Sequence, residues 1–262
     1  MLLIMIDSNY HTHTYRCTHA QGTEEDYVIE AINNNYKELG ISDHGPFNNN
    51  KYDFRMDFSE FEDYLNTINN LKSKYKDKIN ILSSVEIEFF EDSLDFYNNL
   101  LSKYKLDYLT LGQHMIKINN TLYYDCDFHY NEYYMLYAKT LKKAMDTKLF
   151  KLIAHPDFYL KSLTPWNETA IEAANIIIDS AVENDCILEM NANGIRKGLQ
   201  TAEDGKQKYV YPNENFFKLA LEKKAKIIIN SDCHNPKELL DDAVKSTYDL
   251  AKKWGISPLT RL

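Results

Sequence analysis

Ala225-Lys226-Ile227-Ile228-Ile229-Asn230-Ser231-Asp232-Cys233-His234 holds two signals in one stretch. Its first half is a run of β-branched residues, the composition of a strand buried on both faces of a parallel sheet. Its second half places a carboxylate and an imidazole just past the end of that strand. Working outward, the same pairing recurs along the chain. Apolar runs at 2–9, 39–43, 79–87, 106–112, 150–154 and 186–191, with 226–231 as the seventh, read as strands, and most are followed at once by His, Asp or Glu.

Helical patterns fill the intervals. In 60–76, Phe61, Tyr64, Leu65, Ile68, Leu71 and Tyr75 recur at helical spacing. In 165–184, Ile171, Ala174, Ile178 and Val182 form one face, with Thr164-Pro165 as the expected N-cap and first position. Thr23 is expected to cap a helix over 24–38, and Pro212 to precede one over 213–224. Seven strand-then-helix units without a linker or repeat predict an α/β fold in a single domain spanning 1–262, either closed as a barrel or open and doubly wound. No GxGxxG or Walker A segment favours the open form. The least regular stretches, 45–58, 116–130 and 195–212, follow strand ends, where a barrel builds its active site.

The composition is that of a globular chain: 262 residues, 44% hydrophobic and 26% charged, with a formal charge of −9. That charge offers no basic stripe for nucleic acid. A small phosphorylated substrate stays possible, because bound divalent ions would add local positive charge. The apolar start, Met1 to Ile6, is too short for a membrane span or signal peptide and reads as a buried strand. Cys17, Cys126, Cys186 and Cys233 have no disulfide or CxxC spacing, so reduced thiols in a cytoplasmic protein are expected. Cys17 and Cys233 lie beside candidate ligands but are read as packing.

Seven of the eight histidines fall at or just beyond a predicted strand end: His11, His13 and His19 after the first strand, His44 after the second, His114 after the fourth, His155 after the fifth and His234 after the seventh. His129 is the exception. In extended His11-Thr12-His13 both imidazoles share one face and can approach one ion. Glu86 near the end of the third strand and Asp232 supply carboxylates. Imidazole with carboxylate suits Zn, Mn or Fe. Glu88 is the alternative to Glu86, on the same strand face but beyond the strand end.

These residues stand in motifs: His11-Thr12-His13, Ser42-Asp43-His44, Val85-Glu86, Gln113-His114, Ala154-His155-Pro156 and Ser231-Asp232-Cys233-His234. In this set and order the chain resembles the PHP (polymerase and histidinol phosphatase) superfamily. Within it the chain is most similar to the stand-alone histidinol-phosphate phosphatases, through 11–20, 153–157 and 189–197. Cys233, where a small residue is usual, and Asn193-Gly194, in a variable loop, depart from the pattern.

The resemblance implies a distorted (β/α)7 barrel of the PHP type and two or three divalent metal ions. It implies that His11, His13, Glu86 and Asp232 hold one ion. Glu86, His114 and His155 would hold a second, with Glu86 bridging, and His19, His44 and His234 would complete a third. The activity implied is phosphate monoester hydrolysis by a metal-bound hydroxide, with L-histidinol phosphate as the substrate expected from the nearer resemblance. Other esters stay open: nucleotide, phosphotyrosine or metabolite phosphates. A metal-stabilised module without catalysis is disfavoured, because every expected ligand is present. Arg196 is expected to contact the phosphate, since a guanidinium matches phosphate bidentately. Lys197 and Arg16 are further phosphate candidates. Asp43 is expected to orient a ligand histidine, and Asp232 or His234 to pass a proton to the leaving group. Met115, Tyr123 and Tyr124 read as packing or pocket wall rather than chemistry.

Overall fold

The computed structural model describes residues 6–48 and 52–262. The part of the first predicted strand before Ile6 lies outside them. In chain order come β1 (Ser8–Asn9), α1 (Glu24–Asn33), β2 (Glu38–Ile41), α2 (Phe61–Tyr75), β3 (Asn80–Ser83), β4 (Glu86–Ile87), α3 (Leu94–Ser102), β5 (Thr110–Leu111), β6 (Ile116–Ile118) and β7 (Thr121–Tyr123). Then follow α4 (Tyr130–Asp146), β8 (Leu152–Ile153), α5 (Glu168–Glu183), β9 (Ile187–Asn191), α6 (Asn193–Arg196), β10 (Gln200–Thr201), β11 (Gln207–Lys208), α7 (Glu214–Glu222), β12 (Lys226–Asn230) and α8 (Asp242–Lys253).

The fold is α/β with parallel sheets. One sheet runs β1-β2-β3 and the other β4-β5-β8-β9-β12, every pairing parallel. Each predicted strand region holds a strand, shorter than the apolar run that announced it; the third, 79–87, is broken into β3 and β4. Two isolated parallel bridges join the sheets at their carboxyl ends, His44 with Glu86 and Thr12 with Cys233. At the opposite end the tail enters the gap between β12 and β1. Leu259 bridges Ile228, Ser8 Oγ donates to Thr260 O (2.7 Å), and Arg261 pairs with Asp7 (2.7 Å). Leu259 and Leu262 pack there on a small cluster of Tyr10, Tyr108, Leu152, Ile187 and Ile228.

Tyrosine is a core residue of this fold. Tyr10, Tyr27, Tyr36, Tyr64, Tyr97, Tyr134 and Tyr137 are fully or almost fully buried. The rings supply apolar area, and hydroxyls such as that of Tyr64, which donates to Ile41 O (3.1 Å) and Ser84 O (2.7 Å), satisfy strand-end carbonyls.

Local chemistry sets the helix starts. Thr23 caps α1 in a full capping box with Asp26, and Asn213 caps α7. The expected Thr164-Pro165 start of α5 is corrected: Asn167 Oδ1 accepts from Ala170 N (2.9 Å), and the Thr164 hydroxyl meets Tyr134 Oη instead. The buried face of α5 is also shifted. Ala170, Ala173, Ala174, Ile177, Ile178 and Ala181 face inward, while Ile171 and Val182 stay 39% and 47% exposed. Alanines allow α5 to lie close against α4, so the small residues rather than the larger ones mark the interface. The irregular stretches 116–130 and 195–212 carry two short antiparallel hairpins, β6-β7 and β10-β11. Among the described residues, no helix is long and apolar enough to cross a membrane.

Candidate metal centre

The carboxyl ends of the strands converge on one carboxylate. Glu86 opens β4 and is buried. Its Oε2 lies 3.0 Å from His44 Nδ1, 3.4 Å from His11 Nε2 and 3.5 Å from His13 Nε2. Its Oε1 lies 2.9 Å from His155 Nε2 and 3.6 Å from His114 Nε2. Asp232 Oδ1, on the turn after β12, stands 3.0 Å from His13 Nε2 and 3.7 Å from His11 Nε2. His19 and His234 face each other through their Nε2 atoms at 3.0 Å. All nine predicted metal ligands therefore fall in one cluster.

Three of the imidazoles are held from behind. His11 Nδ1 donates to Glu189 (2.9 Å), His114 Nδ1 to Glu88 (2.9 Å) and His19 Nδ1 to Cys17 O (2.9 Å). Asp43 Oδ1 lies 3.6 Å from His13 Nδ1, while its Oδ2 accepts from Thr14 N (3.1 Å). A hydrogen bond at Nδ1 fixes the tautomer and leaves the Nε2 lone pair pointing inward, the usual support of a metal-binding histidine. Glu88 thus stands behind His114, and Asp43 is placed to orient His13. The backbone takes part too: His155 and Asp232 both sit at positive φ, 31° and 48°, a region costly to non-glycine residues and common at functional sites.

Gly112 makes room for Glu86. A Cβ on it would overlap the Glu86 carboxylate and its Cγ, so the neighbouring strand must present only a hydrogen at this point.

Electrostatics make the cluster a site that favours positive charge. Burial pushes His234 down to about 3 and His44 well below its ordinary value, so both are neutral. Burial alone would raise Glu86 and Asp232, but facing histidines outweigh it, and both carboxylates are held well below their usual range. For His13 burial is outweighed by Asp232 and Asp43, which lift it to about 9. His11 Nε2, His13 Nε2, His44 Nδ1 and Glu86 Oε2 are buried with no hydrogen-bond partner. Buried polar atoms are normally satisfied, and orphaned imidazole nitrogens beside ionised carboxylates fit a divalent cation. Three donor groupings have the required closeness around the cluster: His11-His13-Asp232, His44-Glu86-His114 and His13-His44-His234. The first matches the expected set; the other two redistribute His13 and His44. A fourth, His13-Cys17-Asp43, is less suited. The Cys17 thiol donates to Thr14 O (3.2 Å), and burial raises its pKa, whereas a ligand must be thiolate.

Above the cluster opens a cavity of about 720 Å³ lined by His19, His44, His114, His155, Asp232 and His234 together with Tyr52, Asp53, Phe54, Arg55, Met115, Tyr124, Phe158, Asn193, Lys197 and Tyr211. A second cavity, of about 710 Å³ under β10-β11, has Trp166, Leu199, Pro212 and Trp254 in its wall and no histidine.

Two expected phosphate contacts are corrected. Arg196 does not line the cavity. Its guanidinium is spent on Asp241 (2.8 Å), Ser231 O (2.6 Å), Ser231 Oγ (2.6 Å) and Glu238 O (2.9 Å), where it buckles the turn after β12 to α8. Arg16 is buried against Glu24 and Asp63 (2.7 Å) and over the Tyr64 ring, again away from the cavity. Lys197 does line it. Its ammonium is 3.3 Å from Tyr211 Oη, and burial lowers its pKa. Asp232 and His234 belong to the cluster, and both are unprotonated near neutral pH, which suits ligands better than proton donors.

Two residues were missed. Glu189 is fully buried within β9 and accepts from His11 Nδ1, His155 N (3.0 Å), Asn191 Nδ2 (2.7 Å) and Asn230 Nδ2 (2.9 Å). A glutamate inside an otherwise apolar strand was the available signal, because such a charge must find partners. Arg55 reaches from the loop after β2 to Glu88 and lies 3.5 Å from His114 Nδ1. No local pattern announced it.

The PHP domain description matches residues 9–193. The chain belongs to the PHP domain family. Similar proteins include a Schizosaccharomyces pombe protein named "Probable histidinol-phosphatase", 26% identical across 97% of this chain and 88% of that one. A Deinococcus radiodurans protein of the same name is 25% identical, across 92% of each. Among solved structures, histidinol phosphate phosphatase of Lactococcus lactis, crystallised with zinc, L-histidinol and phosphate, superposes with TM-score 0.71 at 18% identity, covering 97% of this chain and 95% of that one. A Listeria monocytogenes crystal structure reaches TM-score 0.75 at 20% identity, covering 92% of this PHP chain and all of the other.

Proposed function

We propose that this PHP protein is a metal-dependent phosphomonoesterase hydrolysing L-histidinol phosphate to L-histidinol and phosphate. The observation that carries the reading is Glu86 with five imidazoles within 3.6 Å, several bearing orphaned nitrogens. The full-length relatives named for that activity narrow it to the substrate. We read the two sheets as one distorted seven-stranded barrel, joined at its active rim by the bridges His44–Glu86 and Thr12–Cys233.

His11, His13, His19, His44, Glu86, His114, His155, Asp232 and His234 would hold two or three ions of Zn, Mn or Fe type. Such ions, when bound, activate water and neutralise phosphoryl oxygens. In the hydrolysis a water oxygen bonds to phosphorus as the ester P–O bond breaks, and the departing alkoxide takes up the proton that the water gives up and leaves as the alcohol. The chain's own part is to place the ester. Lys197 supplies a cation to the phosphoryl group from the cavity wall, and Tyr211 holds that ammonium. Asn193 Nδ2, 3.3 Å from Asp232 Oδ2, keeps the carboxylate in position. Glu189, Glu88 and Asp43 fix imidazoles so that little reorganisation accompanies binding.

Elemental analysis of the purified protein should give two or more equivalents of Zn, Mn or Fe per chain. Activity in a metal-free sample would overturn the reading. Steady-state kinetics on a panel of phosphate esters should rank histidinol phosphate first. Equal turnover of simple phosphomonoesters would remove the substrate and leave the hydrolase.

A further inference from the structure

The cavity is far larger than a phosphate needs, and its mouth has its own chemistry. Phe54 is 61% exposed yet lies on its wall. Its φ is 61°, a left-handed conformation that a bulky aromatic residue rarely adopts. An exposed phenylalanine in strained backbone gains neither burial nor easy geometry. What the conformation achieves is position: the ring stands edge-on to His19, with centroids 5.3 Å apart, at the rim of the metal cluster. Tyr124, on the loop after β7, is a second exposed aromatic lining the cavity, at 49%. Asp53 lies beside Phe54. The other wall carboxylates, Glu86 and Asp232, are buried in the cluster, whereas Asp53 is exposed at the mouth.

We infer that Phe54 and Asp53 are specificity-determining residues that select the leaving group, Phe54 with Tyr124 taking a flat ring and Asp53 an ammonium. The inference rests on the phosphatase reading above and adds the residues that recognise the part of the ester beyond phosphorus. Aromatic side chains favour offset or edge-on contact with another planar ring. A carboxylate at the entrance attracts a cationic amine and repels esters with further phosphates, so an amino alcohol ester fits this mouth and a nucleotide polyphosphate does not.

The test compares kcat/KM for three esters: histidinol phosphate (ring and amine), 2-aminoethyl phosphate (amine alone) and glycerol 2-phosphate (neither). Phe54→Gly is the informative variant, because glycine accepts the positive φ and removes only the ring. It should lower the preference for histidinol phosphate over 2-aminoethyl phosphate about tenfold, mainly through KM, and Phe54→Tyr should retain that preference. Asp53→Asn should lower the preference for 2-aminoethyl phosphate over glycerol 2-phosphate about fivefold. If the unaltered protein prefers histidinol phosphate and Phe54→Gly and Asp53→Asn keep both ratios, the inference is overturned while the phosphatase reading stands. If the unaltered protein shows no preference among the three esters, the substrate reading fails and this inference with it.

Discussion

Glu86 and Glu88 lie two residues apart and do different work. Glu86 meets imidazoles on both of its oxygens, whereas Glu88 sits behind His114 and is clamped by Arg55. Glu86→Gln is expected to abolish tight metal binding. Glu88→Gln should weaken it about 10–100-fold, the usual effect of removing a ligand's hydrogen-bonded support, as read by metal-chelator competition. The two basic neighbours Arg196 and Lys197 separate in the same way. Arg196→Ala should cost about 2–4 kcal/mol in urea unfolding, because it strips a buried carbonyl-and-carboxylate network. Lys197→Ala should instead raise KM roughly tenfold or more, the loss of one charged contact, with the fold intact. The clustered donors were legible in the sequence because imidazole and carboxylate at successive strand ends are chemically conspicuous. The supporting residues were not. Arg55 acts through a loop whose path no periodicity specifies, and Arg196 has the composition of a phosphate binder but is claimed by the turn after β12.

At the scale of elements, the αβ alternation was readable and the boundaries were not. Strand ends shorten where side chains turn to the cluster, as at Glu86, whose strand is only Glu86–Ile87. Helix α5 shows why caps mislead. Thr164-Pro165 has the right residue types, but the chain first crosses to Tyr134, and the Asn167 side chain takes the terminal N–H of Ala170. Asn167→Ala should therefore destabilise the protein by about 1 kcal/mol in thermal or urea unfolding. Thr164→Ala, which removes no cap, should leave that helix start undisturbed by amide hydrogen exchange. The inward face of α5 is set by alanines rather than by Ile171 and Val182, because closeness to α4 selects the small residues.

For the whole molecule, the cluster links β1, β2, β4, β5, β8 and β12 through side chains rather than strand pairing alone. A cation shared among those strands binds the folded state only, so chelation should lower the melting temperature, with metal return restoring it. A Tm insensitive to chelator would mean the donors hold together without the ion. The formal charge of −9 gives a related expectation. Several of the acids counted there are turned inward around imidazoles, so the surface seen by an anionic ester is less hostile than the total suggests.

Gly112 carries one more consequence. The protein contains a way to be emptied without losing a single donor atom. A methyl group at 112 pushes on the Glu86 carboxylate from the next strand, so Gly112→Ala would yield a chain with its complete set of histidines and acids and an unseated Glu86. Such a variant would distinguish having the ligands from having them in register, which deleting a ligand can never do.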